Sequence, residues 1–232
     1  MNAILSPTLE LTVLLPGMLL AYLPVIPCLK QSPRRLAAWL APLLLALCIA
    51  GGMLCCALEC PTRPVLFALL LPAMMLYHKT LRISLWKSGS IFLAVCAVFA
   101  CVNSFCRAIN AVLAAGLPPS RAALWFQPAA GILYNGICLL FLLAAWYPAT
   151  HSVQMMIEDQ NFAHTWYIFW ILPMLFIGLN IFMVPTCHDT LYTGRILQIY
   201  IVLSLILLVI LILFYAMFLL MANSLNRNAK LQ

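Results

Sequence analysis

From Ile196 to Met221 the chain runs for 26 residues without a charged residue, a glycine or a proline. A helix needs about 20 predominantly apolar residues to cross a hydrocarbon core about 30 Å thick. A helix apolar on every side has no wet face to offer, so this run commits the chain to a lipid environment. The same length criterion selects six further runs, near Leu9–Leu29, Leu36–Leu58, Pro64–Tyr77, Ser90–Cys106, Gln127–Tyr147 and Trp166–Val184. The run Pro64–Tyr77 is the shortest and the weakest candidate.

Composition supports this reading. Of 232 residues, 66% are hydrophobic and 7% charged, against about 25% charged in ordinary soluble domains. The mean hydropathy of +1.09 agrees. The expectation is an all-α, polytopic integral membrane bundle of about seven transmembrane helices in one domain, with lipid as its solvent. Trp39, Trp86, Trp125, Trp146, Tyr147, Trp166 and Tyr192 fall near predicted span ends, where aromatic belts form.

The net charge of +7 does not indicate nucleic acid, because the twelve Lys and Arg residues form no basic face or tail. They lie in short clusters between apolar runs, as topology signals do. With the N-terminus outside, the inner segments hold Lys30, Arg34, Arg35, Lys79, Arg82, Lys87, Arg227 and Lys230. The outer segments then hold Arg63, Arg107, Arg121 and Arg195, and eight against four selects this orientation. The expected location is the cell membrane, multi-pass, with the C-terminus cytoplasmic. Glu10 precedes the first run and no basic n-region does, so that run is not read as a cleaved signal peptide.

Six of the ten cysteines (Cys48, Cys55, Cys56, Cys96, Cys101 and Cys138) sit inside apolar runs, and Cys28 and Cys106 at their edges. There they read as small apolar side chains. Cys60 and Cys187 fall in predicted outer loops, either as two thiols or as one disulfide. Without a Cys-x-x-Cys pair, a zinc or thioredoxin-type site has no footing.

Catalytic patterns are missing as well. The chain has no His-Glu-x-x-His, no Walker or Gly-x-Gly-x-x-Gly loop and no Gly-x-Ser-x-Gly elbow. His78, His151, His164 and His188 are dispersed, and no cysteine follows His78 closely, as a membrane peptidase pairing would require. No enzymatic activity, metal or cofactor is expected of these residues. No acidic or basic residue lies near the middle of any span, which counts against an ion-coupled pump.

The remaining signals are amides at membrane depth: Asn103, Asn135, Asn180 and Gln198. They read either as interhelical hydrogen bonds or as the lining of an outward pocket for a small peptide or apolar ligand. Trp125, in the outer loop Arg107–Gln127, reads either as a ligand contact or as a membrane anchor. In the inner segment Pro148–Thr165, Val153, Met156 and Ile157 share one face of a short interfacial helix beside Glu158 and Asp159, unless the segment is a plain connector. Prolines and glycines are spread over the spans, including Pro16, Pro42, Gly51, Gly52 and Pro173, without the matched broken helices of inverted-repeat transporters. The last run differs, with no Gly or Pro from Ile196 to Gln232. As one helix it would exceed the bilayer core by about 25 Å.

Three stretches carry a family resemblance: Thr165–Pro173 (TWYIFWILP), Leu191–Gln198 (LYTGRILQ) and Phe214–Gln232. With them the chain resembles the N-terminal membrane sensor region of Gram-positive histidine kinases with a GHKL-type ATPase domain, a class that includes quorum-sensing peptide receptors. The resemblance implies a sensor domain over residues 1–222 and the start of a cytoplasmic signalling helix over 223–232. It implies that Leu225, Asn226, Arg227 and Ala229 lie on the transmitting helix, and that the protein works as a homodimer when joined to a kinase. The phosphoacceptor helix and ATPase domain of that family have no counterpart in these residues, so no catalytic residue carries over. The expected function is detection of an extracellular or membrane-borne signal for a two-component system. The rival reading is a small permease or a stand-alone membrane protein without catalysis.

Overall fold

A computed structural model describes residues 2–113, 126–158, 166–183 and 194–231. Among them every regular element is helical, apart from one isolated antiparallel bridge between Leu29 and Leu81. In chain order the helices are α1 (Asn2–Leu11), α2 (Leu14–Tyr22) with a 3-10 extension over Leu23–Cys28, α3 (Pro33–Ala57), α4 (Thr62–Thr80) and α5 (Leu85–Leu113). Then follow α6 (Pro128–Pro148), a π turn over Ala149–Val153, α7 (Gln154–Glu158), α8 (Trp166–Phe169), α9 (Ile171–Met183) and α10 (Gly194–Leu231).

Among the described residues five segments are long and apolar enough to cross a membrane: Ile4–Cys28, Pro33–Ala57, Leu85–Leu113, Pro128–His151 and Arg195–Met217. The helical membrane bundle expected from sequence therefore holds, whereas the count of seven is met by five. α4 has 19 residues, with Pro72 inside it and His78 and Lys79 in its last turn, and the described part of α9 has 13, so neither is among the five. As far as Glu158, the stretch after Pro148 does not form a separate interfacial helix. It prolongs α6 through the π turn, and Met156 and Ile157 are buried against Tyr22, Tyr77 and Trp166.

Proline sets the helix boundaries. Pro33 and Pro128 stand at the first helical positions of α3 and α6, where the missing N–H costs nothing and φ is already helical. Pro16 divides the first span: its ring excludes an ordinary turn against the Thr12 carbonyl, so α1 stops at Leu11 and α2 starts at Leu14. The Thr12 carbonyl accepts from Leu15 N at 3.0 Å instead. Two other carbonyls at the break find partners on neighbouring helices. Leu9 O accepts from Asn135 Nδ2 (2.7 Å), and Leu11 O accepts from Cys48 Sγ (3.2 Å). In hydrocarbon an unpartnered carbonyl costs several kcal/mol, so α6 and α3 are what make this break tolerable.

α5 is the axis of the bundle, in contact with α2, α4, α6, α8, α9 and α10. In its most apolar stretch 56% is buried, against 17% for α10. α10 touches the bundle through one stripe, Tyr200, Ser204, Leu207 and Leu211, at alternating spacings of four and three. Leu207 and Leu211 rest on Ala97, Cys101 and Phe176, and Tyr200 rests on Ala108 and Ala111. Small residues on α5 let the two backbones approach closely. The other faces of α10 leave Ile199, Val202, Ile206, Val209, Leu213 and Met217 exposed, as a lipid-facing helix does.

One end of the bundle gathers the turns 29–32 and 81–84 with the α6 extension. The two turns are joined by Lys30 N to Thr80 O and Arg82 N to Cys28 O, both 2.9 Å. Lys30 Nζ donates to Lys79 O (2.7 Å) and Lys87 Nζ to Ile157 O (2.6 Å). Six of the cations assigned to the inner side (Lys30, Arg34, Arg35, Lys79, Arg82 and Lys87) belong to these turns or the helix ends flanking them.

Helix α1 lies directly on α3 at Gly52, where an added Cβ would meet Thr8 Oγ1 at 2.1 Å and Thr8 Cα at 3.1 Å. The second contact is backbone, which cannot rotate away. Gly52→Leu is expected to destabilise the bundle by about 1–3 kcal/mol or more through overpacking, read as a lower unfolding midpoint in detergent. An unchanged midpoint would refute the close α1–α3 contact.

Candidate functional site

The first span begins earlier than its hydropathy suggests, and this corrects the placement of both charges. Glu10 sits in α1, 1% exposed, and Arg107 in α5, 7% exposed. Arg107 Nη2 donates to Glu10 Oε1 in a buried salt bridge. α5 continues to Leu113, so the outer loop expected from Arg107 begins later. Sequence reasoning missed the pair because each charge lies near the end of its apolar run. The available signal was that their signs are opposite.

Around this pair a polar cluster forms. Asn103 Nδ2 donates weakly to Glu10 Oε1 at 3.5 Å, and the Arg107 guanidinium stacks over the Phe126 ring at 4.9 Å. Phe126 in turn meets Tyr134 edge-on at 5.6 Å. Asn110 Oδ1 accepts from Gln127 N (2.8 Å) and so ties the C-terminal end of α5 to the start of α6. Arg63, at the start of α4, is within Coulombic range of Arg107 and Glu10 and approaches Tyr200 of α10. The Tyr200 hydroxyl has no partner of regular hydrogen-bond geometry among the described residues.

Beside the cluster, α2, α4, α5, α6 and α9 line a cavity of about 180 Å³. Its polar lining is Arg63, Asn103, Ser104, Asn180 and Tyr134; its apolar lining includes Met18, Leu70, Phe92, Cys96 and Phe99. From Phe92 to Asn103 the α5 wall rises about 16 Å, so the cavity grades from polar at the Arg63 end to apolar toward the middle of the bundle. Gly17 helps make the space: a Cβ there would meet the Phe99 ring at 2.9 Å.

The amides proposed from sequence divide between the two roles offered for them. Asn103 and Asn180 line the cavity. Asn180 Nδ2 also donates to Phe176 O (2.8 Å) and Cys101 Sγ (3.2 Å), which joins the cavity wall to the α5 surface under α10. Asn135 is not in the lining; it holds the α1–α2 break, donating to Leu9 O and to Gly131 O (3.0 Å) and accepting from Thr12 Oγ1 (3.1 Å). Gln198 is exposed on α10 and is not in the lining either, because its neighbours in the stripe take the packed face. Trp125 lies outside the described residues, as do Cys187, His164, His188 and Asp159. The disulfide alternative for Cys60 falls outside them with Cys187. Leu225, Asn226, Arg227 and Ala229 are all on α10, which continues without a break to Leu231. Among the described residues no group of three His, Cys, Asp or Glu side chains is placed to hold a metal ion.

Removing one partner of a buried ion pair strands the other charge in low dielectric, at about 3–5 kcal/mol, whereas replacing both with apolar groups is often neutral. Glu10→Leu alone is therefore expected to lower the unfolding midpoint strongly, and Glu10→Leu with Arg107→Leu to recover most of the loss. A double variant no better than the single one would refute the pairing. No family model, curated protein or solved structure matches this chain, so the reading of the site rests on its own residues.

Proposed function

We propose that the chain is a membrane-embedded sensing domain that converts occupancy of the cavity into movement of α10. The observation that carries this reading is the position of α5 and α9 between the two. Phe99, Ala100 and Asn103 of α5 line the cavity, while Ala97 and Cys101 on the same helix receive Leu207 and Leu211. On α9, Asn180 lines the cavity and Phe176, one turn earlier, packs with Leu207 and Leu211. A ligand wedged beside α5 and α9 would shift the seat of α10. With about 1.5 Å per residue, the 38 residues of α10 make a rod of about 57 Å, longer than the hydrocarbon core. A packed helix moves as a unit between discrete arrangements rather than bending continuously.

The resemblance to GHKL-type kinase sensors supplies the output, a kinase core downstream of α10 working as a homodimer. The topology in this proposal is seven crossings, with α4 and α9 as short spans packed within the bundle, the N-terminus outside and the C-terminus in the cytoplasm. The six cations around the turns at one end support that orientation. A permease reading lacks a comparable observation, since the one buried ion pair among the described residues ties α1 to α5 and is not in the cavity lining.

Two measurements test this. A green fluorescent protein fused after Gln232 should fluoresce, and alkaline phosphatase at the same place should be inactive; the reverse result overturns the orientation. A kinase core fused in helical register after Gln232 should change its autophosphorylation with the signal, and Leu225→Pro should abolish that change by breaking the rod. A response unaltered by Leu225→Pro would overturn transmission through α10.

A further inference from the structure

We infer that the cavity takes a slender, single-chain amphiphile with an anionic head, its head at Arg63 and its chain running along α5 toward Phe92; this rests on the cavity being the sensory site. Three observations converge. The first is charge. Among the described residues Arg63 is the one charged residue lining the cavity, and Arg107, near enough to act on it electrostatically, adds a second cation. Among the described residues Glu10 is the one carboxylate in an ion pair, and Arg107 holds it. Two guanidinium groups against one carboxylate leave a local excess of one positive charge beside apolar walls, where an uncompensated charge is costly. An anion offsets that cost. Guanidinium is also well suited to it, because its planar fork matches the oxygens of a carboxylate or phosphate.

The second observation is the gradient of the lining. Below Arg63, Asn103 and Ser104 the walls are Leu14, Met18, Leu66, Leu70, Phe92 and Phe99. Such walls offer a polar head no partner and favour a hydrocarbon chain, worth about 0.8 kcal/mol per buried methylene. The third is size. At about 180 Å³ the cavity falls below the roughly 300–1,000 Å³ of sites for drug-sized ligands. A volume of that size suits one extended chain better than a folded peptide or a fused-ring lipid. An amphiphile also reaches the site in a way that suits a membrane protein, since it partitions into the bilayer beside the bundle.

The test uses the full chain in phosphatidylcholine nanodiscs with three ten-carbon probes: decanoate, decanol and decyltrimethylammonium. Decanoate is expected to bind about ten-fold or more tighter than decanol, the margin of one charge-assisted contact, and the cation not at all. Arg63→Gln should reduce decanoate to the affinity of decanol, while Ala100→Phe, which fills the apolar part, should weaken both. Equal binding of the three probes by the unaltered chain overturns the proposal without any variant having to fold. So does a preference for decanoate that survives in folded Arg63→Gln. Lysophosphatidate placed in the nanodisc separates the sources: if it displaces decanoate, a bilayer lipid can be the occupant, and if it does not, the occupant is a free acyl carboxylate. Failure of every probe removes this ligand class only. The sensing role stands or falls separately, on the Leu225→Pro kinase fusion.

Discussion

With no water in the hydrocarbon core, each backbone polar group there must find a partner in the protein, and the break at Pro16 is where this demand organises the bundle. Pro16 cannot donate to Thr12, so the helix stops and carbonyls open at Leu9 and Leu11. Asn135 of α6 and Cys48 of α3 reach in to close them. Three separate stretches of sequence are thereby tied at one depth. Glu10, one residue from this break, is held by Arg107 of α5, so the fourth wall is tied there too.

That arrangement makes α5 the central element and α10 the peripheral one. Everything a ligand could displace is in contact with α5, and the small residues on its far side form the seat of α10. The proposed coupling needs no chain of special residues. It would follow from one helix having a cavity on one face and a rod on another. The narrow stripe by which α10 packs also matters, since a helix held along one line can be shifted more readily than one buried all round.

The charged groups show how context reverses a residue's meaning. Judged by hydropathy alone, Glu10 and Arg107 are flanking residues of apolar runs. In the fold they are a buried pair, and their burial turns Arg63 from an ordinary loop cation into an excess charge at the mouth of an apolar cavity. The same applies to Cys48, which reads as a small apolar side chain and also donates to a freed carbonyl.

The sequence by itself determined the apolar setting, the helical class and the unbroken last helix. Hydrocarbon admits only self-satisfied helices here, so apolar runs of sufficient length dictate them, and the absence of Gly and Pro after Ile196 dictates an unbroken last helix. Helix starts at Pro33 and Pro128 were legible for the same local reason. The tertiary structure alone decided which amides do what. Asn103, Asn135 and Asn180 carry the same side chain in similarly apolar surroundings, yet Asn135 closes a helix break while the other two line a cavity. That difference depends on which helices stand opposite, a long-range property that local hydropathy does not encode. The Glu10–Arg107 pair was hidden for the same reason, since it joins residues 97 positions apart whose proximity exists only once α1 and α5 are packed together.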